Sequence, residues 1–121
     1  MAIRKRVLGY VDAGKADGAT LHYGGKQHGQ DGFFVRPTIF TNVKPDMKIA
    51  REEIFGPVAA VFRFKTEEEA VELANDTSFG LASNIFTQNI TRAIRVSNAL
   101  ETGSSNVCCT ACDTHLFTDI C

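Results

Sequence analysis

Three runs of this sequence hold residue types that could bind or react. The first is Arg51-Glu52-Glu53-Ile54-Phe55-Gly56-Pro57-Val58. Two adjacent carboxylates precede an aromatic ring and a Gly-Pro turn. A carboxylate on such a loop can accept two hydrogen bonds from neighbouring hydroxyls, as acidic residues do at nucleotide riboses, while the ring packs on a flat ligand. The plainer reading is a solvated glutamate pair at a helix end and a core phenylalanine, and spacing alone favours it. The second run, Gly9-Tyr10-Val11-Asp12-Ala13-Gly14-Lys15-Ala16, approaches a phosphate-binding P-loop. That motif ends in Ser or Thr to hold magnesium, where Ala16 stands, and it needs a preceding strand. An amphipathic helix accounts for the run better. The third is Cys109-Thr110-Ala111-Cys112, with Cys108, His115 and Cys121 nearby. Thiolates and imidazole suit tetrahedral zinc, but one Cys-x-x-Cys is half a site and the spacing fits no standard finger. Unpaired cysteines in a strand end and tail are expected, and no metal site. His22 and His28 have no carboxylate or cysteine patterned around them and read as surface residues.

The elements that must position these runs can be read in outline. A helix is expected from Ile3 to Lys15, with Ile3, Val7, Tyr10, Val11 and Gly14 on one face and Gly18 as its stop. Arg4-Lys5-Arg6 would lie on its wet face. Thr20 to Tyr23 reads as a strand, and Gly24 to Gly32 as a loop. Phe33 to Val43 is extended, with an edge or break at Pro37. A turn at Lys44-Pro45-Asp46 leads to a short helix or loop, Met47 to Glu53. Gly56-Pro57 turns into the strand Val58 to Phe64. Thr66 and Glu69 form a capping box before a helix burying Ala70, Val71, Leu73 and Ala74. Leu81 to Thr87 is a strand. Asn89 caps a helix with Ile90, Ala93, Ile94, Ser97 and Leu100 inward, and Gly103 sits where a left-handed cap is wanted. Ser104 to Cys109 is the last strand. From Val58 the strand–helix alternation predicts a parallel sheet with right-handed crossovers, an α/β fold with flanking helices and no second domain. There is no Gly-x-Gly-x-x-Gly between a strand and a helix, so this stretch holds no Rossmann fingerprint.

Composition narrows the function classes. Apolar residues make up 44% and charged residues 22%, an ordinary globular balance that argues against wholesale disorder. A net charge of −1 gives no support to nucleic-acid or anionic-membrane binding. No apolar run approaches the roughly 20 residues of a membrane helix, and the start lacks a signal-peptide core. A reducing, cytoplasmic setting is therefore expected. All four cysteines lie in the last 14 residues, unlike a disulfide framework spread along a secreted domain.

Glu52-Glu53-Ile54-Phe55-Gly56-Pro57-Val58 resembles the signature of the NAD(P)-dependent aldehyde dehydrogenase family. Its neighbours follow in the family's order: Phe34-Val35-Arg36-Pro37-Thr38-Ile39-Phe40, Asp46-Met47-Lys48-Ile49, Phe64-Lys65-Thr66-Glu67-Glu68-Glu69-Ala70, Ala74-Asn75-Asp76-Thr77-Ser78-Phe79-Gly80-Leu81 and Phe86-Thr87. The resemblance runs from about Val7 to Gly103. It implies a partial catalytic domain over residues 1–109, mainly parallel sheet with flanking helices, and a tail at 110–121 outside the family pattern.

By that resemblance, Glu53 binds the hydroxyls of the nicotinamide ribose and Phe55 packs by the nicotinamide. Gly56 and Pro57 shape the turn, and Pro37 and Thr38 are structural. The implied cofactor is NAD or NADP, and the implied reaction oxidises an aldehyde to a carboxylate through a cysteine thioester and hydride transfer. In the family the nucleophilic cysteine, general-base glutamate and oxyanion-stabilising asparagine lie upstream of the signature. All cysteines here follow it, so no catalytic residue is assigned and the chain alone is expected to be inactive. Cys108 stands where the family has asparagine. The implied partners are the aldehyde and the nicotinamide cofactor, with a homo-oligomer or association with a full-length homologue also open.

Overall fold

Helix α1 (Ala2–Ala16) begins the chain and turns Val7, Val11 and Gly14 inward. The structure, a computed structural model, describes residues 2–108 and the backbone of 117–120. Ile3, expected on the inward stripe, is 72% exposed, because the core cluster of this region begins only at Val7. Gly18 ends the helix at φ 92°, a left-handed conformation that costs glycine little.

The described residues form two compact units that divide between Arg63 and Phe64, at a join where the sequence carries no linker signal. In the first, β1 (Thr20–Tyr23) pairs antiparallel with β2 (Thr38–Thr41), and β2 pairs parallel with β3 (Val58–Ala60), Thr38 opposite Val58. Pro37 has no N–H to give a ladder, and β2 starts at the next residue. The long extended run expected from Phe33 to Val43 therefore shortens to four residues. The glycine-rich stretch before it closes into a hairpin through a Gln27–Val35 bridge. Helix α2 (Lys48–Arg51) is one turn, begun by Asp17, whose Oδ2 accepts from Lys48 N–H at 3.0 Å. The core gathers Val7, Val11, Phe40, Val43, Met47, Ile49 and Ile54. Each large side chain there contributes about 1.5–3 kcal/mol by leaving water.

In the second unit, α3 (Glu67–Asn75), β4 (Ala82–Phe86), α4 (Ile90–Ala99) and β5 (Ser104–Cys108) alternate as expected. β4 and β5 pair in parallel from Ala82–Ser104 to Phe86–Cys108, with α4 as the crossover. β3 does not extend this sheet and pairs with β2 instead. Strand β6 (Phe117–Ile120), from the tail, pairs antiparallel with the other edge of β4.

Both caps form. Thr66 Oγ1 accepts from Glu69 N–H at 3.2 Å, and Glu69 Oε2 reaches back to Lys65 N–H at 2.7 Å, one residue ahead of the capping-box position. Asn89 Oδ1 accepts from Arg92 N–H at 3.0 Å. Two expectations fail here. The inward face of α4 is Ala93, Val96 and Leu100, while Ile90 and Ile94 are 68% and 56% exposed. The apolar residues of this helix define two overlapping stripes, and packing against the Ile85 cluster selects the later one. Gly103 has no left-handed backbone. It is small because it lies against the backbone leading into β4, with its N–H on Gly80 O at 2.9 Å and the position of a Cβ only 3.2 Å from Leu81 O.

Candidate functional site

The loop between α2 and β3 carries the glutamate pair and the ring, and its backbone is built around one buried anchor. Ile54 is 8% exposed and belongs to the first core cluster, while its neighbours Glu53 and Phe55 are exposed. Phe55 is not the core residue that spacing favours: its ring is 70% exposed. It also adopts φ 52°, a left-handed conformation that costs a bulky residue about 1–2 kcal/mol. A large apolar ring held outward by a strained backbone is an arrangement that folding alone does not favour.

The loop closes on β2 and α1. Val58 N–H bonds Gly56 O at 2.7 Å across Pro57, a three-residue turn suited to proline's fixed φ. Pro57 O accepts from Thr38 N–H at 2.8 Å. Thr38 is buried, donating its hydroxyl to Arg36 O at 2.8 Å and accepting from Gly25 N–H at 2.9 Å, which gives it the structural role expected of it. Gly56 permits the close approach to the helix, since a Cβ there would lie 2.6 Å from Val7 Cγ2.

Two residues of α1 complete the site, and sequence reading missed both. Arg6 Nη2 donates to Glu53 O at 2.8 Å and, more weakly, to Ile54 O at 3.4 Å. Its Cζ stands 5.9 Å from the Phe55 ring centre and 5.8 Å from that of Tyr10, within cation–π range. Tyr10 Oη donates to Glu52 Oε2 at 2.8 Å, and Lys48 Nζ lies 5.3 Å from the Tyr10 ring centre. The two glutamates, both exposed, are thereby sorted: Glu52 is tied back to α1, and Glu53 stands two residues before the exposed ring. Arg6 and Tyr10 stand at i and i+4 beside the buried stripe of Val7 and Val11. That spacing was a usable signal, but their partners lie more than forty residues away in sequence.

The other candidate runs resolve differently. The P-loop-like run lies wholly within α1. His22 and His28 are exposed, as expected. Cys108 is an exposed free thiol at the end of β5, while Cys109, Cys112, His115 and Cys121 lie outside the described residues. Among the described residues, no three His, Cys, Asp or Glu side chains are grouped to hold a metal, and no helix is long and apolar enough to cross a membrane.

An α/β chain with an acidic, aromatic loop pinned between a helix and a parallel strand pair has clear relatives. The aldehyde dehydrogenase family profile matches residues 2–116. An aldehyde dehydrogenase of Agaricus bisporus is 49% identical over 104 residues, covering 86% of this chain and 21% of its own length. Cytosolic aldehyde dehydrogenase 1 of Mus musculus is 46% identical, again over 86% of this chain and 21% of its own. Among solved structures, an aldehyde dehydrogenase of Mycobacterium tuberculosis complexed with NAD+ superposes with a TM-score of 0.85 at 41% identity, over 88% of this chain and 22% of that one. An indole-3-acetaldehyde dehydrogenase complexed with NAD+ gives 0.86 at 48% identity, over the same shares. The chain belongs to the aldehyde dehydrogenase family. It spans about a fifth of the length of these relatives.

Proposed function

We propose that this chain is part of the catalytic domain of an NAD+-dependent aldehyde dehydrogenase and that its loop 52–57 holds the nicotinamide end of the cofactor. The observation that carries the reading is Phe55, outward and left-handed beside the exposed Glu53. Strain at a bulky, solvent-facing residue is what a ligand contact would retain against the gain from relaxing it. The Glu53 carboxylate can accept from two vicinal ribose hydroxyls, and the Phe55 ring offers a face to a planar ring. Bound there, the cofactor would supply the hydride acceptor for oxidation of an aldehyde to a carboxylate. This chain's residues would orient it; no bond-making step is assigned to them. NAD+ is favoured by the complexes of the related structures, and NADP+ is the finer alternative. A cytoplasmic setting accords with the cytosolic mouse relative.

Two assays test the reading. NAD+ added to the isotopically labelled chain should shift the backbone resonances of residues 52–57 saturably. The same chain, given an aldehyde and NAD+, should form no NADH, because the family's upstream nucleophile is not among its residues. Shifts confined to other segments would overturn the cofactor assignment, and aldehyde-dependent NADH formation would overturn the division of labour.

A further inference from the structure

We infer that Arg6 is a positioning residue for the loop: it fixes the peptide planes on which the outward stance of Glu53 and Phe55 depends. The inference rests on reading that loop as the cofactor contact. A peptide plane carries the carbonyl of one residue and the N–H of the next. The plane bearing Ile54 C=O therefore also bears the Phe55 N–H, and its tilt sets ψ of Ile54 and φ of Phe55 together. Returning Phe55 from φ 52° to the ordinary negative region requires that plane to rotate. Rotation would carry Ile54 O away from Arg6 Nη2, now at 3.4 Å, and strain the firmer 2.8 Å bond to Glu53 O on the plane before it. The guanidinium meets the loop a third time at the Phe55 ring, 5.9 Å from its Cζ. One planar cation thus reaches two successive carbonyls through a single nitrogen, Nη2, and stands within cation–π range of the ring that follows them. A flexible ammonium carries its charge at a point and has no such planar group.

The same helix supplies a matched control. Arg4 makes one contact of each kind elsewhere, donating to Gly32 O at 3.3 Å with its Cζ 5.4 Å from the Phe33 ring centre. If any surface arginine stiffened the unit, Arg4 and Arg6 would be interchangeable in effect.

The test is NMR of the full 121-residue chain with an NAD+ titration alongside. A positive φ brings a residue's own HN and Hα close, giving a strong intraresidue nuclear Overhauser effect at Phe55. Arg6→Ala should weaken that effect, move resonances mainly within residues 52–57 and lower NAD+ affinity by about tenfold. Arg6→Lys should restore part of both, and Arg4→Ala should leave both unchanged. Should Arg6→Ala fail to fold, Arg6→Gln, which keeps most of the aliphatic stem, carries the same reading. A wild-type Phe55 signal and wild-type loop resonances in the folded Arg6 variants would overturn the inference. If the unsubstituted chain does not bind NAD+, the cofactor reading falls, while the Phe55 signal still decides the role of Arg6.

Discussion

In the first unit the polar contacts of Arg6 and Tyr10 end on a loop whose own carboxylate and ring stay exposed. In the second unit the comparable contacts close the helices on themselves. Glu67 of α3 pairs with Arg92 and Arg95 of α4. Asn75 donates to Ala99 O and accepts from Glu101 N–H, both at 2.9 Å, tying the end of α3 to the end of α4. The second arrangement satisfies helix ends and charges and needs nothing further. The first spends polar contacts on keeping an aromatic residue strained and wet. The contrast separates polarity that finishes a fold from polarity that presents a surface.

Substitutions sharpen that contrast, and the largest effect is expected at the loop's anchor. Ile54→Ala should cost about 2–4 kcal/mol in denaturant unfolding and disorder the resonances of residues 52–57. Ile85→Ala, in the second unit's core, should cost a similar amount while leaving those resonances in place. Equal disturbance of the loop by both would erase the distinction.

Gly56→Ala comes next, at about 1–3 kcal/mol, because its Cβ would meet Val7 Cγ2 at 2.6 Å and the loop must move off α1. A thermal shift of less than a degree or two would mean that the loop is not packed there.

The ion pairs of the second unit give a smaller, pH-dependent effect. The hydrogen bond from Arg95, then the charges of Arg95 and Arg92, holds the Glu67 carboxyl below its usual 4.5 against the opposing effect of desolvation. A depressed folded value means stability that is complete above 4.5 and lost as pH falls through the folded value. Both arginines are partly exposed, at 42% and 58% of their side chains, so screening limits the contribution to about 1 kcal/mol or less. Unfolding of wild type and Glu67→Gln from about pH 6 to about pH 3 should show a difference that shrinks with acid. A constant difference would assign the loss to packing.

The smallest predicted change has the opposite sign. Phe55→Gly relieves the left-handed strain while losing little buried surface, and should leave stability unchanged or raise it by about 0.5 kcal/mol. Marked destabilisation would show that the ring serves the fold.

Local rules made much of this legible. The caps at Thr66 and Asn89, the stop at Gly18 and the break at Pro37 each follow from one residue's own chemistry, and each stands where it was expected. The phase of α4 does not follow from spacing, because Ile94 and Val96 are both apolar and only the sheet decides which one faces inward. Gly103 was misread for a related reason: a glycine needed for close approach looks, in sequence, like one needed for positive φ. At the site, the bare pattern of Glu53 and Phe55 favoured a buried ring, and only the resemblance to a family raised them above their neighbours. Arg6 and Tyr10 stayed hidden because their role exists only once α1 packs beside residues 52–55: the sequence places Arg6 among the charges of a wet helix face and Tyr10 on the inward apolar stripe.

The most direct test of the account is an NADH fluorescence titration of the chain beside Glu53→Ala and Glu52→Ala. The geometry ties Glu52 to Tyr10, and the proposed cofactor contact falls to Glu53. The account predicts saturable binding that Glu53→Ala abolishes and Glu52→Ala weakens only slightly. Binding that survives Glu53→Ala, or that is lost equally in both variants, would contradict it.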